Sequence, residues 1–236
     1  MDRRAFLQFT AGLPLASACG FRAASAQSSW PSHGMTIVVP FAPGGQADIA
    51  ARPVALGLGK LLGQSVVVDN RVGAGGALGA STVAKADPDG HTMLMALSAV
   101  VVLPEAERVS GRKPSYEMAQ FTPIARVLGD PNLLIVSASS PYKTVQDLVD
   151  DAKKRPGEIS YGSSGNFGAS HLSMEMFCNS AGIKLLHVPY RGGGPALAAV
   201  LGNQVVASAQ GAAPLKGYSD EGKLRVLATF GAERHA

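Results

Sequence analysis

The chain has 236 residues, 46% of them hydrophobic and only 6% aromatic, with 28 glycines. This fits an Ala/Val/Leu-rich α/β core in one large domain or two small ones. Its 21 basic and 17 acidic residues give a formal charge of +4, too small to imply a nucleic acid or an anionic membrane surface as partner.

The chain opens with Asp2-Arg3-Arg4-Ala-Phe-Leu, then a mild apolar stretch over 9–18, then Ala24-Ser-Ala26. The apolar run is short and broken by Gly12 and Pro14, so residues 1–27 are expected to be a signal peptide cleaved near Ala26, not a membrane span. Arg3-Arg4 resembles a twin-arginine export signal; an ordinary Sec signal with two arginines is the alternative. Ala16-Ser-Ala18-Cys19 is a poor lipoprotein box. Removing 1–27 takes away Arg3, Arg4 and Arg22 against Asp2, leaving 18 basic and 16 acidic residues, or +2. The exported chain is expected in the periplasm with Cys178 as its one cysteine, a buried structural thiol on a helix.

Strands and helices then alternate. Short apolar runs bounded by Gly, Pro, Asp or Asn predict strands at 36–40, 65–69, 91–97, 132–137, 158–162, 185–189, 204–210 and 224–230, the pattern of parallel sheets covered on both faces. Helices are expected near 46–62, 76–86, 144–154, 169–181 and 195–201. The clearest is 144–154: Thr144 is a candidate N-cap with Asp147 as its partner, and Val145, Leu148, Val149 and Ala152 form one apolar face. Pro53 falls inside the 46–62 pattern, which predicts a kink or a late start near Arg52. Residues 98–131, interrupted by Pro104, Gly111, Pro114, Pro123 and Pro131, read as a surface excursion before a crossing into a second lobe, with 224–230 a candidate return crossing.

Two loops carry the candidate site. Ile37-Val-Val-Pro-Phe-Ala-Pro-Gly-Gly-Gln-Ala-Asp48 runs from strand through a tight turn into a helix, leaving backbone N–H groups at the helix start for an anion such as a carboxylate. Asp48 is placed to hydrogen-bond back and fix the loop. Downstream, Tyr161-Gly-Ser-Ser-Gly-Asn-Phe-Gly-Ala-Ser170 makes a second neutral cradle, and the pair suggests one ligand held between two lobes. Gly162-Ser163-Ser164-Gly165 departs from the G-x-S-x-G of a nucleophile elbow, which weakens a hydrolase reading through Ser163 or Ser164. The run 73–79 mimics a dinucleotide fingerprint, but Asp87 and Asp89 fall in a turn before a strand, so close packing of helix on sheet is the better account. Ser98 lies at a strand's carboxyl end, where ligands of parallel sheets sit. Arg191 reads as a solvated surface arginine, with pairing to a second carboxylate as the alternative. No spacing calls for a metal or a cofactor.

The segments VPFAPGGQADIAAR (39–52), GQSVVVDNRVGAGGALGA (63–80), ADPDGHTMLM (86–95), YGSSGNFGASHL (161–172) and HVPYRGGGPALAAVLGNQV (187–205) resemble, in order and spacing, the Bug-type solute receptors of tripartite tricarboxylate transporters. The resemblance spans about 30–230. It implies a two-lobed Venus-flytrap fold of the type II periplasmic-binding class, with lobe 1 at 28–126, lobe 2 at 127–228 and the return crossing beginning at 229–236. It implies a non-catalytic, monomeric receptor that hands a small carboxylate to membrane transporter subunits. By the same resemblance Phe41, Pro43, Gly44, Gly45 and Asp48 build the first-lobe wall, with Ser98 nearby. Ser163, Ser164, Gly165, Asn166 and His171 build the second cradle, and Tyr190 lines it. The chain departs from the family at Val206 and Gln210, where the family carries Asp, and it ends six residues after Phe230, before the segment that completes the first lobe. A fragment, a frameshifted product or a degenerate, non-functional copy is expected from that ending.

Overall fold

The structure, a computed structural model, describes residues 30–233; the signal peptide expected at 1–27, Cys19 and the last three residues lie outside them. The fold belongs to one compact unit, His33–Ala236.

Its first part is a three-stranded parallel sheet. Strands β1 (Met35–Val39), β2 (Val66–Asn70) and β3 (Thr92–Leu94) lie in the order β2-β1-β3, in register at Met35↔Val66 and Ile37↔Met93. Helices α1 (Gln46–Leu62), α2 (Ala77–Ala84) and α3 (Ala99–Val109) belong to this part. Ile37 and Val39, on one face of β1, pack with Phe41 and with Ala47, Ala51 and Ala55 of α1. Ala77 and Ala80 of α2 meet Ala99 and Leu103 of α3 in a separate cluster.

The second part is five-stranded. Strands β4 (Asn132–Ser137), β5 (Ser160–Ser163), β6 (Leu186–Pro189), β7 (Ala207–Gly211) and β8 (Leu224–Thr229) lie in the order β6-β5-β7-β4-β8. Helices α4 (Val145–Lys154), α5 (Ala169–Ala181), α6 (Gly193–Leu201) and α7 (Lys216–Asp220) connect them. Alternate residues of β4 serve opposite faces, as strand geometry requires. Leu134 and Val136 pack with Leu148, Val149 and Ala152 of α4 and with Met174 and Cys178 of α5. Leu133 and Ile135 pack with Leu197 and Val200 of α6.

Four expectations change. The sheet is mixed: β5 is parallel to β6 and β7, but β4 runs antiparallel to both β7 and β8. A continuous apolar run reports that both faces of a strand are covered and says nothing of its direction. The strand at 224–230 closes the edge of this second sheet beside β4. Residues 98–131 are not wholly irregular, because α3 occupies 99–109 with Pro104 inside it. Likewise α1 begins at Gln46 and runs through Pro53. The carbonyl that Pro53 leaves without its helical donor is that of Ile49; both residues lie on the exposed face, open to solvent. Among the described residues no helix is long and apolar enough to cross a membrane.

Candidate functional site

In a parallel sheet the loops that follow the strands gather at one end, so residues 40–45 after β1, 71–76 after β2 and 164–168 after β5 are the places to look. The first loop is held by Asp48, which is buried one turn into α1. Its carboxylate accepts from the Gly44 N–H (3.0 Å), from Arg52 Nε and Nη2 (3.0 and 2.8 Å), and from Asn70 Nδ2 (3.1 Å). Asn70 also donates to the Phe41 carbonyl at 2.9 Å, so the end of β2 and the start of α1 clamp the turn from both sides. Burial alone would raise the Asp48 pKa; hydrogen bonds from Arg52, Gly44 and Asn70 outweigh it and hold the carboxyl below its ordinary 3.8. The loop-fixing role expected of Asp48 is the geometry observed. Gly44, at φ +79, takes the left-handed turn that a side chain would resist.

The second cradle rests on stacked rings. Ser163 Oγ lies 2.6 Å from His187 Nε2 and accepts from the Gly165 N–H at 3.2 Å. Ser164 is tied through its N–H and its hydroxyl to Ser170 Oγ, both at 2.8 Å. The Phe167 N–H donates to His171 Nδ1 at 3.0 Å, which fixes that nitrogen as an unprotonated acceptor. The His171 ring stacks on His187 (centroids 4.1 Å), and His187 stacks on Tyr161 at 5.0 Å. Burial, and for His187 also the neighbouring His171, pushes both imidazole pKa values down, that of His187 to about 4. Behind them the Tyr161 hydroxyl donates to Glu175 at 2.6 Å. His171 therefore shapes the loop from behind.

The loops of the two sheets meet. The Ala42 N–H donates to the Arg191 carbonyl at 3.0 Å. A Cβ on Gly194 would lie 2.6 Å from the Pro43 carbonyl oxygen, and one on Gly75 2.5 Å from that of Asn166. Beside these contacts opens a cavity of about 520 Å³. Gly73, Ala74, Gly75 and Gly76 wall it on the first side, and Ser164, Gly165, Asn166 and Phe167 on the second, with Leu103, Arg112, Tyr190 and Arg191 completing it. Ala74 (φ 48) and Phe167 (φ 59) face this space in left-handed conformations that non-glycine residues adopt at about 1–3 kcal/mol each, a strain that clusters at ligand clamps. Glu107 also lines it, but its carboxylate is occupied by the Ser115 N–H and hydroxyl at 2.6 and 2.8 Å. Arg112 and Arg191 have no carboxylate partner among the described residues.

Of the residues expected at the site, Ser164, Gly165, Asn166 and Tyr190 line this cavity. Phe41 packs in the seam beside it, against Gly76. Pro43, Gly44 and Gly45 do not line it: Gly45 sits against the backbone of Gly193 and Gly194, and the Gly44 N–H is spent on Asp48. Ser163 is fully buried behind the loop, Asp48 and His171 act as supports, and Ser98 is exposed at the start of α3. The Ser163–His187 contact offers no exposed nucleophile, because the hydroxyl has no solvent access. Sequence reasoning assigned the 73–76 stretch to packing, kept a carboxylate partner for Arg191 only as the alternative to a solvated side chain, and passed over Arg112. Gly76 and Gly79 do pack closely on Phe41 and Pro40, as expected of that run, but the same turn also presents Gly73 and Gly75 to the cavity. A glycine-rich turn directly after a strand was the available signal.

Residues 50–236 match the family model described as "Tripartite tricarboxylate transporter family receptor". The chain is 35% identical over 242 aligned positions to the "UPF0065 protein in gbd 5'region" of Cupriavidus necator, covering 100% of this chain and 72% of that protein. Among solved structures, an R. palustris protein with adipate superposes with TM-score 0.77 at 36% identity, covering 87% of this chain and 68% of its own. A Rhodopseudomonas palustris protein, MatC, with bound malate gives TM-score 0.78 at 30% identity, with 86% and 69% covered. The chain spans from about half to under three quarters of the length of the curated relatives it matches, 52% to 72% for the first four. With its two α/β sheets and their glycine-rich facing loops, the chain belongs to the tripartite tricarboxylate transporter receptors, the Bug-type family that its motifs resemble.

Proposed function

We propose that this chain is an exported, non-catalytic solute receptor that captures a small carboxylate in the cavity between lobe 1 (28–126) and lobe 2 (127–228). The observation that carries the reading is the cavity itself. Its walls are glycine-rich turns from both sheets, and Arg112 and Arg191, which have no acidic partner among the described residues, line it. Backbone donors at strand-to-helix turns grip a carboxylate, and Arg112 or Arg191 meets a second acidic end, since a guanidinium binds carboxylates through paired charge-assisted hydrogen bonds. Adipate and malate, named with two of the similar structures, are both dicarboxylates. Ligand contacts to both lobes favour the closed arrangement, and transporter subunits of the tripartite type read that state. Gly44, Gly45 and Asp48 then act as the hinge-side contact, Ser164, Gly165, Asn166 and Tyr190 as the ligand wall, and Ser163 and His171 as its support. The receptor works as a monomer in the periplasm after cleavage near Ala26.

The test is calorimetry and thermal shift with malate, adipate and hexanoate. A saturable response to a dicarboxylate, exceeding that to the monocarboxylate and weakened about tenfold or more by Arg191→Ala or Arg112→Ala, is expected. No saturable response to any carboxylate overturns the reading.

A further inference from the structure

At the opposite end of the first sheet, away from the loops that wall the cavity, three potential ligands converge. His33 precedes β1 and His91 precedes β3. The parallel pairing of those strands (Thr36↔Thr92), with the Thr36 N–H donating to the His91 carbonyl at 2.7 Å, brings the two segments side by side. Their imidazoles stack with centroids 3.8 Å apart and planes 2° from parallel. Asp89 stands beside them. Its Oδ1 accepts the His91 N–H at 2.9 Å and lies 3.4 Å from His91 Nδ1. One donor atom from each of His33, Asp89 and His91 falls within 4.8 Å of the other two.

From this geometry we infer that His33, Asp89 and His91 form a binding site for a borderline divalent transition ion of the zinc class. Two imidazoles and one carboxylate are the ligand types such ions select, and no hard-cation cage of oxygens is present in the cluster. Metal–nitrogen and metal–oxygen bonds of about 2.0–2.2 Å at a tetrahedral angle separate adjacent donors by roughly 3.3 Å. The Asp89–His91 pair already stands at 3.4 Å, the edge of such a tetrahedron. The remaining adjustment is a rotation of His33, because parallel rings cannot aim their lone pairs at one point; His33 lies at the surface. The backbone bond from His91 to Asp89 orients the carboxylate, and burial of His91 fixes its ring. Three protein ligands leave the fourth position to water, giving an exchangeable site that links the start of β1 to the turn before β3.

The test uses the full chain without an affinity tag, stripped with chelator and titrated with zinc chloride by calorimetry and by metal analysis after dialysis. One saturable equivalent, accompanied by a rise in melting temperature, is expected. His33→Ala and Asp89→Asn, both at exposed positions, each weaken uptake about tenfold or more while circular dichroism is unchanged. Absence of a saturable equivalent, or uptake that survives the double substitution undiminished, overturns the inference.

Discussion

Helix α4 and the helices α1, α5 and α6 begin in opposite ways. Helix α4 starts with a reciprocal cap: Thr144 Oγ1 accepts the Asp147 N–H at 3.2 Å, and Asp147 accepts those of Thr144 and Lys143 at 2.9 and 2.8 Å. Helices α1, α5 and α6 start after Gly45, Gly168 and Gly192, and none receives a side-chain cap. The topology explains the difference. Because β4 is antiparallel to β7, which is parallel to β5, the helix after β4 starts at the end of the sheet opposite to α5 and α6. There the helix end is satisfied by its own side chains. At the other end the helix starts carry no side-chain cap and the loop backbones touch, so capping stability is given up at the end where the carboxylate proposed above would bind.

The largest expected effect is of acid. His187, at about 4 in the fold against an ordinary 6.5, is held neutral by burial and by His171. A depressed histidine pKa means that the fold favours the uncharged ring. The stability this gives is complete above about pH 6.5 and falls as pH drops toward 4, by about 2–3 kcal/mol once partial exposure is allowed for. The capping carboxylate of Asp147 lies below its usual range, so the α4 start holds until lower pH. Urea unfolding between pH 7 and pH 4.5 should show this slope, and His187→Asn should flatten it. A pH-independent midpoint would break the comparison.

Next in size is Asp48→Asn, which removes the charge-assisted bonds to Arg52 and leaves the Gly44 N–H donating to a weaker acceptor. About 2 kcal/mol of stability, read by denaturation, should be lost, together with carboxylate affinity. Gly194→Ala separates the two functions. The helix tolerates alanine, but the new Cβ would meet the Pro43 carbonyl at 2.6 Å. Closure should lose about 1.4 kcal/mol, a tenfold fall in ligand affinity by calorimetry, with the melting temperature kept or raised. Smallest is Thr144→Ala, expected to cost about 1 kcal/mol of stability while ligand affinity stays unchanged.

How much of this was written in the chain depends on the range of the interaction. The α4 cap was legible because its partners sit three residues apart and act within one turn. Asp48 was legible for the same reason: its bonds to Gly44 and Arg52 each span four residues. The apolar runs gave the strands and their two-faced burial, and the motif order gave the family. Yet Pro53 and Pro104 suggested breaks that packing overrode, since each helix is anchored by a buried face on the sheet side.

The local chemistry of turns, caps and apolar periods was determined by sequence alone, because those forces act between neighbours. Tertiary structure decided which way β4 runs, that Gly45 faces Gly194 and not open space, that 73–76 and the two arginines wall the cavity, and that His33 stacks on His91. Each of these joins segments far apart in the chain, and only the pairing of strands and the packing of helices on them brings such segments within a few ångströms.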